Sequence, residues 1–335
     1  MNGMTAYLVK RGLDRIVLIF TVLTIQFILL RIVPMYVMGI DPSRFLVKPG
    51  SPPHVREEIR NRFGLYEPIF PHQYFRYVLN LFTGQFGESF MTERHVYDEI
   101  MERLPNTVIL FGSSLLVIFV IGLVVGIFAA SRRGKRIDSI ITQLSVFSYI
   151  MPTWLMGLVF LLALAWYPQV TWRIQLFPIG GTRTPLLGPD PWLNILDYLW
   201  HLSLPLASIV VAGFGSFAYY VRNLTITELG QDYVLTARAK GLDERTIMRK
   251  HVLRSVAPPL VTVVALSLPG VLSGGIITET VFSWHGLGLY VYNALIGFDY
   301  PAVQALLFMV AVVTAVSLYL CDVAIAYLDP RVRFR

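Results

Sequence analysis

The residues able to do chemistry in this 335-residue chain are thinly spread. Six histidines stand at His54, His72, His95, His201, His251 and His285, and no pair has the short spacing that presents two imidazoles to one metal ion. Cys321 is the only cysteine and lies in an apolar run, which excludes an internal disulfide and a cysteine-rich metal site. Gly134 and Lys135 are followed by Arg136, without the upstream glycine of a phosphate-cradling loop, so ATP must be hydrolysed on another chain if it is used at all. No Ser/His/Asp arrangement is recognisable. These absences predict a chain that is not an enzyme and carries no cofactor and no metal. What remains is a basic, helix-forming stretch from Arg222 to Pro259 and two carboxyls inside apolar runs, Glu279 and Asp322.

The stretch reads RNLTITELGQDYVLTARAKGLDERTIMRKHVLRSVAPP. Thr225 and Glu228 have the form of a capping box that opens a helix through Gln231, Tyr233 and Ala237, and Gly241 can take the left-handed conformation that stops it. Asp243 and Glu244 place negative charge at the start of a second helix, while Arg249, Lys250 and Arg254 place positive charge toward its end. The product is a helix, a sharp turn and a helix. Met248, Val252 and Val256, four apart, give the second arm one apolar stripe that needs a surface to bury it.

The elements that must position this hairpin are set by composition. At 55% hydrophobic, 15% charged and mean hydropathy +0.60, the chain is too apolar for a soluble domain and reads as an all-helical integral membrane protein. Its net charge of +7 belongs to membrane topology and not to nucleic acid, because the bases cluster in particular loops. Six spans fit: Ile16 to Val33, Thr107 to Ala130, Ile140 to Trp166, Leu202 to Val221, Leu260 to Phe282 and Ala302 to Leu328. Pro152 should kink the third or interrupt it. In the fourth, Ala207, Ser208, Ala212, Gly213, Gly215 and Ser216 permit close approach of another helix.

Bases flank these spans on one side: Lys10, Arg11 and Arg15; Arg132, Arg133, Lys135 and Arg136; the hairpin; and Arg331, Arg333 and Arg335. The positive-inside rule therefore places both termini in the cytoplasm, in a multi-pass protein of the cell membrane. Residues 34–106 form an outer loop with short helices expected at His54 to Arg62 and Pro71 to Leu81. The resulting division is 1–33 (amino terminus and first span), 34–106 (outer cap), 107–328 (core, with the hairpin at 222–259) and 329–335 (tail).

The hairpin's QDYV, TARAKGL and RKHVLRS, with the proline pair after them, resemble the cytoplasmic coupling loop of ABC importer permeases in the dipeptide/oligopeptide branch. Against the general Glu-Ala-Ala, three residues, Gly pattern, Ala237 and Gly241 match whereas Leu235 and Thr236 depart. GLYEPIFPHQYFRYVLNLFTGQFGESF, EIMERLPNT, ETVFSWHGLG, FDYPAVQ and LDPRVRF resemble the same branch, with His285 where proline is common. The resemblance covers nearly the whole chain.

It implies a type I ABC importer permease fold with six transmembrane helices and a coupling helix-turn-helix. It also implies a second homologous permease, two ATPase subunits and an extracytoplasmic solute-binding protein as partners, with this chain forming half of the pathway for peptides. Oligosaccharides or nickel chelates are the alternative cargoes. A secondary transporter or channel would show an inverted repeat or mid-bilayer charges, and a membrane enzyme would show a catalytic cluster at an interface.

The expected contact with the ATPase is Leu235, Thr236, Ala237, Arg238, Ala239, Lys240, Gly241 and Leu242, with Ala237 and Gly241 at the tight point. Pro269 and Gly270, with Ser267, Ser273 and Gly274, are expected to break the fifth helix and expose backbone to the pathway. Glu279 is read either as a pathway residue or as an acceptor for backbone groups in the following Gly-Leu-Gly turn. Asp322 is expected to pair with a base on a neighbouring loop.

Overall fold

The computed structural model describes residues 3–37, 39, 47–48, 50–62, 65–185, 187–273 and 275–328. Among these residues no strand forms, only an isolated bridge between Glu88 and His95. Six helices are long and apolar enough to cross a bilayer: Met4–Val37, Val96–Ala130, Thr153–Trp172, Pro191–Leu229, Glu244–Val271 and Tyr300–Ala324. The number of spans agrees with the sequence. Their boundaries differ in instructive ways.

The second span starts at Val96, well before Thr107, because the charges there are neutralised within the helix and its approach. Buried Glu99 lies 3.0 Å from Arg94 and 2.5 Å from Arg103. The fourth runs from Pro191 to Leu229, 39 residues and therefore about 60 Å at ~1.5 Å per residue, about twice a hydrocarbon core of ~30 Å. Both its ends stand clear of the bilayer. Its start is built by Asp190, whose carboxylate accepts from the backbone N–H of Trp192 at 2.9 Å, with Pro191 in the first turn.

The third apolar run is interrupted at Pro152. A helix Arg136–Ile150 ends there, Met151 and Pro152 are extended, and a new helix begins at Thr153. It continues to Trp172, through residues 167–172 that the sequence assigned to a loop. In the outer cap, short helices lie at Pro53–Arg62 and Tyr74–Phe82, close to where the pattern put them.

The fourth span is the centre of the bundle. Gly126 of the second span lets the two backbones meet, since a Cβ there would stand 2.6 Å from the Ala218 carbonyl. Gly215 does the same toward the Arg136–Ile150 helix, whose Ser145 carbonyl occupies the space a Cβ would take. The helix is also locked by charge. Asp138 accepts from Arg222 Nε at 2.6 Å and Nη2 at 2.8 Å. The Arg222 guanidinium, aided by the Gly134 N–H, holds the Asp138 carboxyl below its ordinary value.

The first and sixth spans pair through Asp322, but its partner is not a loop. Arg15 donates to it at 2.7 Å and Arg11 lies 3.8 Å away, both on the first span, so a charge costly in hydrocarbon is compensated inside the bundle. The tail bases Arg331, Arg333 and Arg335 lie outside the described residues.

Candidate functional site

The hairpin forms at one end of this bundle, and its construction corrects the sequence reading in two places. Thr225 and Glu228 do not open a new helix. The fourth span runs through them to Leu229, and Thr225 is fully buried. The break falls at Gly230, and the hairpin's first helix is Asp232–Ala239 with Gln231 before it. An uninterrupted run of backbone hydrogen bonds outcompetes a local side-chain cap when the helix is already packed on both sides.

The second arm is not a separate helix either. Helical backbone begins at Glu244, passes through a wider turn at Ile247–Val252, and continues as Leu253–Ser273 across Pro258, Pro259 and Pro269. The arm and the fifth span are one rod.

Packing explains why the rod holds. Val234 and Ala237 from the first helix meet Ile247, Val252 and Val256 from the rod and Phe217 and Val221 from the fourth span in one buried cluster. Ala237, expected at the tight partner contact, is 5% exposed and turned into this cluster, where a small residue allows the two arms to close. The face left open consists of Leu235, Thr236, Arg238, Ala239, Lys240, Gly241 and Leu242. Leu235 is 56% exposed, a large apolar side chain with no partner in the chain.

The elbow between the arms is rigid by construction. Gly241 takes φ +78°, the left-handed region, and its N–H reaches Arg238 O at 2.9 Å while Leu242 N–H reaches Ala237 O at 3.3 Å. A Cβ on Gly241 would meet nothing within 4 Å, so the glycine is needed here for conformation and not for space within the chain. Arg238 spans the turn to Glu244 with two bonds of 2.7 and 3.1 Å. Asp243 caps the rod by accepting from Thr246 N–H at 3.1 Å, and donors from Thr246 hold its carboxyl below the usual range. Tyr233 closes the base of the hairpin through Glu228 at 2.7 Å.

The pathway candidates separate. Ser267 lines a groove of about 360 Å³ between the second, fourth and fifth spans and bonds back to Val263 O at 2.9 Å. Pro269 and Gly270 do not break the fifth helix, which runs on to Ser273. Proline is tolerated there because neighbouring helices support the rod. Gly274 lies outside the described residues, as does the side chain of Ser273.

Glu279, on the short helix Ile276–Val281, is fully buried. It accepts from Thr107 Oγ1 at 2.9 Å and from Leu289 N–H at 3.0 Å, just beyond the Gly286-Leu287-Gly288 turn. Trp284, also fully buried, seals that turn by donating from Nε1 to Asn106 O at 3.1 Å. Sequence reasoning missed the Asp138–Arg222 and Arg238–Glu244 pairs. The latter carries a signal, opposite charges flanking a glycine stop, whereas the former joins positions 84 apart and carries none.

Comparison with known proteins adds the family. The model described as "Binding-protein-dependent transport system inner membrane component" matches residues 122–334, and "Binding-prot-dependent transport system membrane comp, N-term" matches residues 4–111. The chain is 31% identical over 332 residues to the oligopeptide transport system permease protein AppB of Bacillus subtilis (strain 168), covering 99% of this chain and 100% of that one. It is 32% identical over 324 residues to the di/tripeptide transport system permease protein DppB of Pseudomonas aeruginosa (strain UCBPP-PA14), at 94% of each. Against the glutathione transport system permease protein GsiC of Escherichia coli (strain K12) the identity is 30% over 332 residues, covering 99% and 100%.

Proposed function

The chain belongs to the family of binding-protein-dependent transport system inner membrane components, and from that premise we propose that it couples ATP hydrolysis on partner subunits to peptide import through the Gly241 elbow. It is a membrane-spanning permease of an ABC importer, not an enzyme. The observation that carries the coupling role is the union of an exposed, stiff elbow with a fifth span that is one rod from Glu244 to Ser273. A push on such an elbow cannot be absorbed by a flexible joint below it. It moves the span as a rigid body and changes access to the pathway.

In this reading the hairpin and both termini face the cytoplasm, in keeping with the bases around them. Leu235, Thr236, Arg238, Ala239, Lys240, Gly241 and Leu242 meet an ATPase subunit, and Ala237 keeps the hairpin closed behind them. A second homologous permease completes the pathway, two ATPases drive it, and an extracytoplasmic solute-binding protein delivers cargo to the outer cap. Ser267 and Gly270 face the pathway, while Glu279 fixes the outer turn. Peptides are the cargo favoured by the relatives, three permeases named for oligopeptides, di/tripeptides and glutathione.

The test is purification of the tagged chain from membranes. Stoichiometric ATPase subunits are expected with the wild type and are lost with Leu235→Asp together with Leu242→Asp, while the protein still inserts. Unchanged recovery of the ATPase with that double variant would refute the assigned face. Binding of peptides to the solute-binding protein encoded beside this chain tests the cargo independently.

A further inference from the structure

Next to the hairpin, the ends of the second and fourth spans and the start of the fifth enclose a cavity of about 700 Å³. Its walls divide by chemistry. Ala130, Ile226, Leu229 and Met248 make an apolar side, continuous with the membrane-spanning helices. Facing it are four guanidiniums, Arg133, Arg238, Arg245 and Arg249, against one lining carboxylate, Glu244. That carboxylate is committed to Arg238 through both oxygens at 2.7 and 3.1 Å. No acid lining the cavity answers the other three.

We propose that this cavity binds the phosphate-bearing headgroup of an anionic phospholipid. Like charges gathered around one space repel, and an anion placed among them removes that cost. Phosphate oxygens suit the purpose because they accept the paired N–H groups of arginine in a fixed fork. Soluble phosphate offers the same oxygens. What selects the lipid is the apolar wall, which glycerol and the first acyl methylenes cover and a free ion leaves wet. The cavity also sits at the ends of spanning helices, the depth at which basic pockets capture lipid headgroups. Since Arg238 and Glu244 belong both to the elbow and to the cavity wall, a bound headgroup braces the hairpin from behind.

The inference needs only that the second, fourth and fifth spans cross a bilayer, so its failure leaves the coupling role standing. To test it, the full chain in phosphatidylcholine–detergent micelles is titrated with phosphatidylglycerol and followed by native mass spectrometry. The wild type retains phosphatidylglycerol in preference to phosphatidylcholine. Arg133→Gln, Arg245→Gln and Arg249→Gln together weaken retention about a hundredfold, at about fivefold for each charge near the surface. Arg132→Gln, Lys135→Gln and Arg136→Gln remove three charges outside the cavity and leave retention within about twofold, since they change only the long-range field.

Should the cavity triple fail to fold, Arg249→Gln alone is expected to show the loss of about fivefold. Equal losses in both triples, or none in either, would overturn the site. Displacement of phosphatidylglycerol by inorganic phosphate at matching concentration would overturn the lipid as its occupant.

Discussion

Two glycine turns join helices at opposite ends of the fifth span, and they use glycine for opposite reasons. At the hairpin, Gly241 has positive φ and open space around its missing Cβ. At the other end, Gly286 has φ −112°, a conformation any residue adopts, but a Cβ there would stand 2.5 Å from Thr107 Oγ1 and collide with the Glu279 carboxylate. One turn is shaped to protrude, and the other is closed on itself. The contrast extends to their charges. Arg238 and Glu244 bridge the elbow on the surface, whereas Glu279 is spent entirely on a hydroxyl and a backbone N–H inside the fold. A rod with one end sealed into the bundle and the other presented outward is suited to transmit a displacement.

Substitutions sharpen this contrast. The largest effect is expected at the sealed turn. Gly286→Val should cost on the order of 3 kcal/mol through overpacking, read as a lowered Tm and loss of monodisperse protein in detergent. A normal Tm would mean the outer turn is looser than its contacts indicate.

Next is the lock between the fourth span and the Arg136–Ile150 helix. Asp138→Asn strands the Arg222 guanidinium, at about 2 kcal/mol, less than a fully buried pair because Arg222 keeps some contact with solvent. The sign with pH follows from the depressed Asp138 carboxyl. Its stabilisation is fully present above the ordinary carboxylate range and is lost as pH falls through the lowered folded value, so the Tm gap between wild type and Asp138→Asn should close in acid.

At the protruding turn the costs are smaller. Gly241→Ala should lower stability by about 1 kcal/mol, the backbone strain of a Cβ in the left-handed region, with transport largely kept. Arg238→Ala removes an exposed pair and should cost less than ~1 kcal/mol in thermal unfolding.

The elbow was legible because its signals are local: a glycine with helix formers before it and acids after it. The six spans were legible from charge-free length, and the interruption at Pro152 from a proline in such a run. What sequence hid was long-range. Pro258 and Pro259 read as a stop, yet the helix crosses them because Val256 and Leu260 are buried against the bundle on either side. Residues 96–106 read as loop because they carry charge, and their helix depends on Glu99 meeting Arg94 and Arg103. Asp322 signalled that it needed a base, but nothing local could name Arg15, 307 positions away. The inward turn of Ala237 was equally invisible, since a small residue suits a partner contact and an internal one alike.

The coupling account rests on bulk at the elbow meeting a partner and not the chain itself. The most direct measurement compares Gly241→Trp with Gly241→Ala in proteoliposomes holding the complete transporter, recording ATP hydrolysis and peptide uptake together. Both variants carry the same backbone strain, so the account predicts uptake lost in Gly241→Trp and kept in Gly241→Ala, with both inserted and folded. Wild-type uptake by Gly241→Trp would contradict it.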